Sequence, residues 1–201
     1  DRVNLPRARV KGALKHKGTL TVSGERGVRL TTLERQGVSE LNPRDLGIRM
    51  PGYLAFRVLR PEWAVTLKTE ILDPVVKAEL LQKIELDEGV LSARCYIKYA
   101  IDNAGCKQFF LQAPRPDVGL SILGKDIADV QQIDKENGIW QIDLHNKVEH
   151  EYRLEASYQI SFDPKLGETR IEPLITKKVA ARQGYLVVMA DGRLQIKHGV
   201  V

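Results

Sequence analysis

The residues able to do chemistry in this chain are few and scattered. They are four histidines (His16, His145, His150 and His198), two cysteines (Cys95 and Cys106) and an acidic run between positions 126 and 136. Asp126, Asp129, Asp134 and Glu136 offer carboxylate oxygens of the kind calcium takes, and Asp134-Lys135-Glu136-Asn137-Gly138 echoes the start of a calcium loop. Its glycine comes one position early, and His145 stands where the distal glutamate belongs, so a solvated hairpin turn competes with the metal reading. His145 and His150 flank a short polar stretch between two predicted strands. A zinc pair there would need further ligands, for which Glu149 and Glu151 are the local offer, and surface histidines are the simpler reading.

Nucleotide and nucleophile motifs fail on spacing. Gly124-Lys125 is followed by Asp126 where a phosphate loop carries Ser or Thr, and the earlier glycine is missing. Gly119-Leu120-Ser121-Ile122-Leu123 has leucine where a nucleophile elbow needs its second glycine. No enzyme and no cofactor are expected. One binding candidate emerges: Tyr96 lies between Arg94 and Lys98 on the polar side of a predicted strand, a ring between two cations suited to an acidic glycan. Trp63, Trp140, Tyr152, Tyr158 and Tyr185 fall mostly on apolar strand faces, where core packing is the default. A sugar platform would instead need aromatics exposed on one sheet face.

These residues sit on elements whose period is two. From Val76 the even positions read Val76, Ala78, Leu80, Gln82, Ile84 and Leu86, with Lys77, Glu79, Lys83 and Glu85 between them. Asp87-Glu88-Gly89 predicts a tight turn, after which Leu91, Ala93, Cys95, Ile97, Tyr99 and Ile101 alternate on odd positions. The pattern breaks near Asn103-Ala104, which predicts a second turn that folds Cys106 back beside Ile101 and leaves Cys95 facing Gln112. The two thiols are then about 20 Å apart, beyond disulfide reach, and read as small buried hydrophobes. Further strands are expected at 19–23, 27–33 and 64–72, around Phe109, Val118 and Trp140, over 152–162, and at 171–176, 185–190 and 193–197. Asn137-Gly138 and Asp191-Gly192 supply turns. Only 40–48 and 124–133 leave room for a turn of helix. With no crossover helix to hand, a parallel sheet is excluded. The expected class is all-β: an antiparallel β-sandwich, immunoglobulin-like or larger, with an N-terminal β-rich extension.

Composition sets outer bounds. With 201 residues, 43% hydrophobic and 28% charged, the chain excludes collagen, low-complexity disorder and a bundle of membrane-spanning helices. No membrane-spanning segment is expected. The net charge of +5 is uneven, since residues 1–50 carry 11 Lys+Arg against 5 Asp+Glu and the rest carry 20 against 21. A basic arm for nucleic acid, anionic lipid or acidic polysaccharide is one reading. The basic residues alternate with Val10, Leu14, Leu20 and Val22 instead of forming a block, which favours a solvated face and argues against nucleic acid.

Asn42-Pro43 and Met50-Pro51-Gly52 predict a boundary. The expected organisation is a basic, Gly-rich β extension or part of a preceding domain over 1–50, a β-sandwich domain over 51–180, and last strands or the start of a following domain over 181–201. The chain opens on Asp1 with no signal peptide and reads as a segment of something longer. The stretches Phe56-Arg57-Val58-Leu59-Arg60-Pro61-Glu62-Trp63, Pro74-Val75-Val76-Lys77-Ala78 and Tyr99-Ala100-Ile101-Asp102-Asn103-Ala104-Gly105 resemble β-sandwich segments of large uncharacterised bacterial envelope-associated multi-domain proteins. The resemblance covers residues 53–190 and rests on strand style. It implies an envelope-associated, multi-domain parent with no assigned activity. With no catalytic motif in the chain, the expected function is a non-catalytic structural or adhesive module of such a protein, in the cell envelope or another extracytoplasmic site, whose partners are neighbouring domains of the parent chain, a protein or a glycan. The alternative from another class is a carbohydrate-binding module attached to an enzyme.

Overall fold

A computed structural model describes residues 1–7, 17–87, 89–163 and 170–190. The protein is all-β, and it divides into two compact units between Asp73 and Pro74. His16 and His198, the basic residues Arg9, Lys11 and Lys15, and the predicted turn and strand over 191–197 lie outside the described residues.

The first unit is a small sandwich of two three-stranded sheets. Strands β1 (Arg2–Asn4), β6 (Ala64–Ile71) and β3 (Val28–Gln36) make one, in that order, while β2 (Gly18–Ser23), β5 (Tyr53–Val58) and β4 (Val38–Leu41) make the other. Phe56 and Val58 of β5 meet Val65 and Leu67 of β6 in a core completed by Val38 and Trp63. Gly37 alone separates β3 from β4, so the chain changes sheets there. Its φ of 65° and a Cβ position 3.1 Å from the Glu62 carbonyl admit little but glycine. The window 40–48 holds one 3-10 turn, Pro43–Leu46, capped by Asn42. The break therefore falls later than Met50-Pro51-Gly52. β5 completes its sheet between β2 and β4, and β6 does the same between β1 and β3, so both strands belong with the segments that precede them.

The second unit is one seven-stranded sheet. Its main path runs β10 (Ile127–Asp134), β11 (Ile139–Ser161), β8 (Val90–Gln112), β7 (Val75–Asp87), β13 (Ala181–Ala190). Beside it, β12 (Ile175–Lys177) pairs with β8, and β9 (Ser121–Gly124) pairs with β11. The tight β7–β8 connection is as expected, with Asp87 opposite Val90 and Gly89 at φ 80°; Glu88 lies outside the described residues.

Three expectations are corrected here. No turn occurs at Asn103-Ala104, because β8 runs unbroken for 23 residues beside the equally long β11. What the sequence showed as a loss of phase is a bulge. Asn103 takes φ 66° and His150, on β11, takes φ 65°. Inward residues of β8 then shift from odd (Ile101) to even (Ala104, Cys106) and back to odd (Phe109, Leu111). The window 124–133 is the β9–β10 turn followed by β10, with no helix. Finally, β13 pairs parallel with β7, from Ala181 opposite Lys77 to Ala190 opposite Leu86. The remainder of the unit makes the crossover that a helix usually makes.

One buried polar contact pins the core. Gln82 points inward from β7, donates from Nε2 to the Leu174 carbonyl at 2.9 Å and accepts the Leu174 N–H at 2.9 Å. The side-chain amide thus stands in for a neighbouring strand at Leu174, itself buried. Gln82→Leu leaves both backbone groups without partners and is expected to lower the stability of this unit by about 2–4 kcal/mol. The drop would be read from the urea midpoint at unchanged slope. An unmoved midpoint would show that the Leu174 backbone needs no partner there.

Candidate functional site

Alternation on the sheet of the second unit sends one set of side chains to the core and the other outward. The register lines the outward set into rows across the strands. One row reads Gln183, Glu79, Lys98, Arg153; the next reads Tyr185, Leu81, Tyr96, Glu155, Leu123; a third reads Val187, Lys83, Arg94, Ser157, Ser121. The middle row stands apart, with Tyr96 39%, Tyr185 58% and Leu123 64% exposed. The two tyrosines lie two strands apart, about 10 Å at ordinary strand spacing.

Tyr96 forms a ridge between two open grooves. One, of about 670 Å³, is lined by Leu81, Leu123, Tyr185, Lys98, Arg153 and the carboxylates of Glu79 and Glu155, among others. The other, of about 950 Å³, carries Lys83, Glu85, Arg94, Ser121, Ser157 and Met189. The structure therefore brings Arg94, Tyr96 and Lys98 onto one face, as the alternation predicted.

Their charges are largely committed. Arg94 meets Glu155 at 3.4 Å, and Lys98 reaches Glu151 at 3.4 Å and Glu79 at 4.0 Å. Arg153 pairs with Glu151 at 2.8 Å, and that guanidinium holds the Glu151 carboxyl below its ordinary range. Arg94 is held further toward its charged form, first by its hydrogen bond to Tyr96. Lys83 sits 5.7 Å from the centre of the Tyr96 ring. Each exposed pair adds little stability, yet together they leave a nearly neutral surround for a row in which Glu155 is the one charge. A strongly acidic glycan would have to compete with Glu155, Glu79 and Glu151 for its cations.

The acidic candidates are not gathered. Asp126 sits in the β9–β10 turn and Asp134 at the far end of β10, eight positions on and about 26 Å away along the strand. Asp126 accepts from Asn146 at 3.1 Å, and Asp129 caps the Val130 N–H and takes the Gln131 amide. Asp134 accepts from the Asn137 side chain at 2.8 Å and backbone at 3.0 Å, while Glu136 stays exposed in the same turn. Among the described residues no three His, Cys, Asp or Glu side chains are grouped to hold a metal. His145 and His150 lie on β11 beside the bulge, and the His145 N–H donates to the Asp126 carbonyl at 3.0 Å.

Both cysteines are buried and free, as the spacing implied, although on one continuous strand. Burial pushes the Cys95 thiol up to about 12. Trp63 is 4% exposed, and Trp140 is half-buried with its Nε1 inside and without a partner, so neither offers a sugar platform. Leu81 and Leu123 were not foreseen as site residues, and Tyr185, grouped with the aromatics expected to pack in the core, is exposed instead. Leu81 had a signal, being the one apolar residue in the solvent-facing series Lys77, Glu79, Lys83, Glu85. Tyr185 and Leu123 had none, because only the cross-strand register sets them beside Tyr96. No family model matches the chain, and no curated protein matches it.

Two measurements check this chemistry. In a Cys106→Ser variant at neutral pH, a thiol reagent such as DTNB is expected to leave Cys95 unmodified until the chain is unfolded; reaction at the rate of free cysteine would contradict its burial. The Asp134 carboxyl is expected to titrate below a peptide aspartate in a carbon-detected NMR series, and Asn137→Ala to bring it back up. Because the folded value is the lower one, the stabilisation from this turn is complete above the peptide value and fades as pH falls through the folded one.

Proposed function

We propose that this chain is a non-catalytic structural or adhesive module of a larger bacterial envelope protein, and that its partner meets the outward face of β7, β8, β11 and β13 at the groove beside Tyr96. The carrying observation is the row Tyr185, Leu81, Tyr96, Glu155, Leu123: two exposed tyrosines and two leucines aligned across the sheet, with the one carboxylate among them paired to Arg94, within a rim of mutually paired charges. An apolar and aromatic centre inside a polar rim is the anatomy of a protein interface, and tyrosine is enriched at its strongest points. Among the described residues no helix is long and apolar enough to cross a membrane. The assignment to an envelope protein rests on the strand-style resemblance alone.

Carbohydrate binding is the second reading, favoured by one observation: Tyr96 and Tyr185 share a groove on one sheet face. A glycan-array screen of the full chain, with and without calcium and at two salt concentrations, separates the readings. The interface reading expects a blank array. It also expects photo-crosslinkers placed at positions 96 and 185 to capture one defined partner from envelope fractions, while a crosslinker at exposed Lys107 does not. A specific glycan hit that Tyr96→Ser and Tyr185→Ser each weaken by about tenfold or more, in line with the loss of a stacked ring, would replace it with the carbohydrate reading. Calcium is expected to change neither result, since Asp126 and Asp134 stand at opposite ends of β10.

A further inference from the structure

We infer that the outward face of the β2-β5-β4 sheet docks on an anionic lipid bilayer, with Leu59 entering among the headgroups and Lys17, Arg57 and Arg60 taking their phosphates. The charge balance of the two units points there. Residues 1–73 carry 14 Lys+Arg against 8 Asp+Glu, and residues 74–201 carry 17 against 18, so the excess of cations lies entirely in the first unit.

Within that unit the charges are sorted. Arg29 of β3 meets Glu70 of β6 at 3.6 Å, and Arg35 of β3 meets Glu40 of β4 at 2.8 Å. On the β2-β5-β4 sheet, Leu20, Val22, Leu54, Phe56, Val58 and Val38 turn to the core. Alternation then sends Thr19, Arg57 and Ser39 outward, in one row across the three strands. The remaining outward positions are hydroxyls, Tyr53, Ala55 and Leu41, and none is acidic.

One end of this face is closed and the other is open. Ala55 is fully buried where the 3-10 turn Pro43–Leu46 lies against β5. Beyond Arg57, Leu59 is 56% exposed, and its N–H and that of Arg60 both donate to the Gly37 carbonyl, at 2.9 Å and 3.3 Å. Continuing the β2–β5 register by one position places Lys17 opposite Leu59. An exposed leucine thus has three cations as neighbours, and two hydroxyls flank the central one. Among the described residues none of the three makes an ion pair, and Glu62 is the nearest carboxylate along the chain. Residues 8–16, outside the described residues, hold Arg9, Lys11 and Lys15 and no acid, so they cannot supply the missing counter-charge.

Lipid phosphates accept from guanidinium, ammonium and hydroxyl donors. The acyl boundary also takes an apolar side chain that a polysaccharide or a nucleic-acid backbone would leave in water. Leu59 is therefore what favours a bilayer over other polyanions. The inference is independent of what binds beside Tyr96.

Co-sedimentation of the full chain with phosphatidylcholine vesicles, with and without phosphatidylglycerol, tests it. Binding is expected only to the anionic vesicles, and is expected to weaken as salt is raised. Arg57→Gln is expected to weaken it about fivefold, the share of one cation at an anionic surface. Leu59→Ser is expected to weaken it about tenfold, with the salt dependence kept. Lys68→Gln removes the same charge from the opposite sheet and is expected to leave binding unchanged. All three positions are exposed, so the thermal melt is expected to stay where it is. No binding to anionic vesicles, equal binding to neutral ones, L59S binding as tightly as wild type, or K68Q weakening binding as much as R57Q would each overturn the inference. So would tighter binding to heparin or duplex DNA than to the anionic vesicles, which would give the face to an acidic polysaccharide or a nucleic acid.

Discussion

The second unit depends on two 23-residue strands, β8 and β11, keeping one register across a bend. Asp143 faces Gln108 below the bulge and His150 faces Ile101 above it, seven positions on along each strand, so the ladder resumes in register. A slip of one residue would turn every inward side chain outward. The bulge thus bends the pair and costs no register. The bend also lets a short sheet have two sets of neighbours: β10 and β12 join the halves on one side of it, and β7 and β9 join those on the other. Tyr99, Phe109 and Tyr152 stack across the bend, with ring centres 4.4 Å and 5.0 Å apart, and the Tyr152 hydroxyl donates to the Lys125 carbonyl at 2.7 Å, fastening the β9–β10 turn to the core.

The outward face follows from the same register. Once the odd positions of β8 are committed to the core, Arg94, Tyr96 and Lys98 must face out. The partners they meet are then fixed by β7 and β11, which supply Glu79, Glu155 and Glu151. The charges of the face satisfy one another, and the middle row, whose one charge, Glu155, is paired with Arg94, is left as its distinctive part. This favours recognition by shape and apolar contact over recognition by net charge.

Strands were legible because alternation is a local signal: the runs beginning at Val76, Leu91 and Tyr152 each declare their inward face within a few residues. Pairing was legible only where a tight turn enforced it, at Asp87-Glu88-Gly89 and Asn137-Gly138. The lost phase near Asn103 looks alike in sequence for a turn and for a bulge, since either can be built on a residue at positive φ, and only the partner strand decides between them. The division at Asp73 was hidden for a related reason. β5 and β6 carry the same alternation as the strands after them, and their partners lie upstream. Of the site, Arg94, Tyr96 and Lys98 could be placed from one strand alone, whereas Tyr185 and Leu123 reach the groove only through pairings distant in the chain. The acidic cluster dispersed because closeness in sequence along an extended strand is distance in space.

The parallel pairing of β7 with β13 also sets an order of events. A ribosome completes β7 about a hundred residues before it reaches β13, which at ordinary elongation rates is an interval of about 5–20 s. Through that interval the β7–β8 hairpin can form, but the flank of β7 that will receive β13 has no strand to take. Contacts this remote in sequence close late and slowly. The sheet is therefore finished from its C-terminal end, and the nascent chain spends that interval with those backbone donors and acceptors of Lys77 through Leu86 that point away from β8 facing the cell.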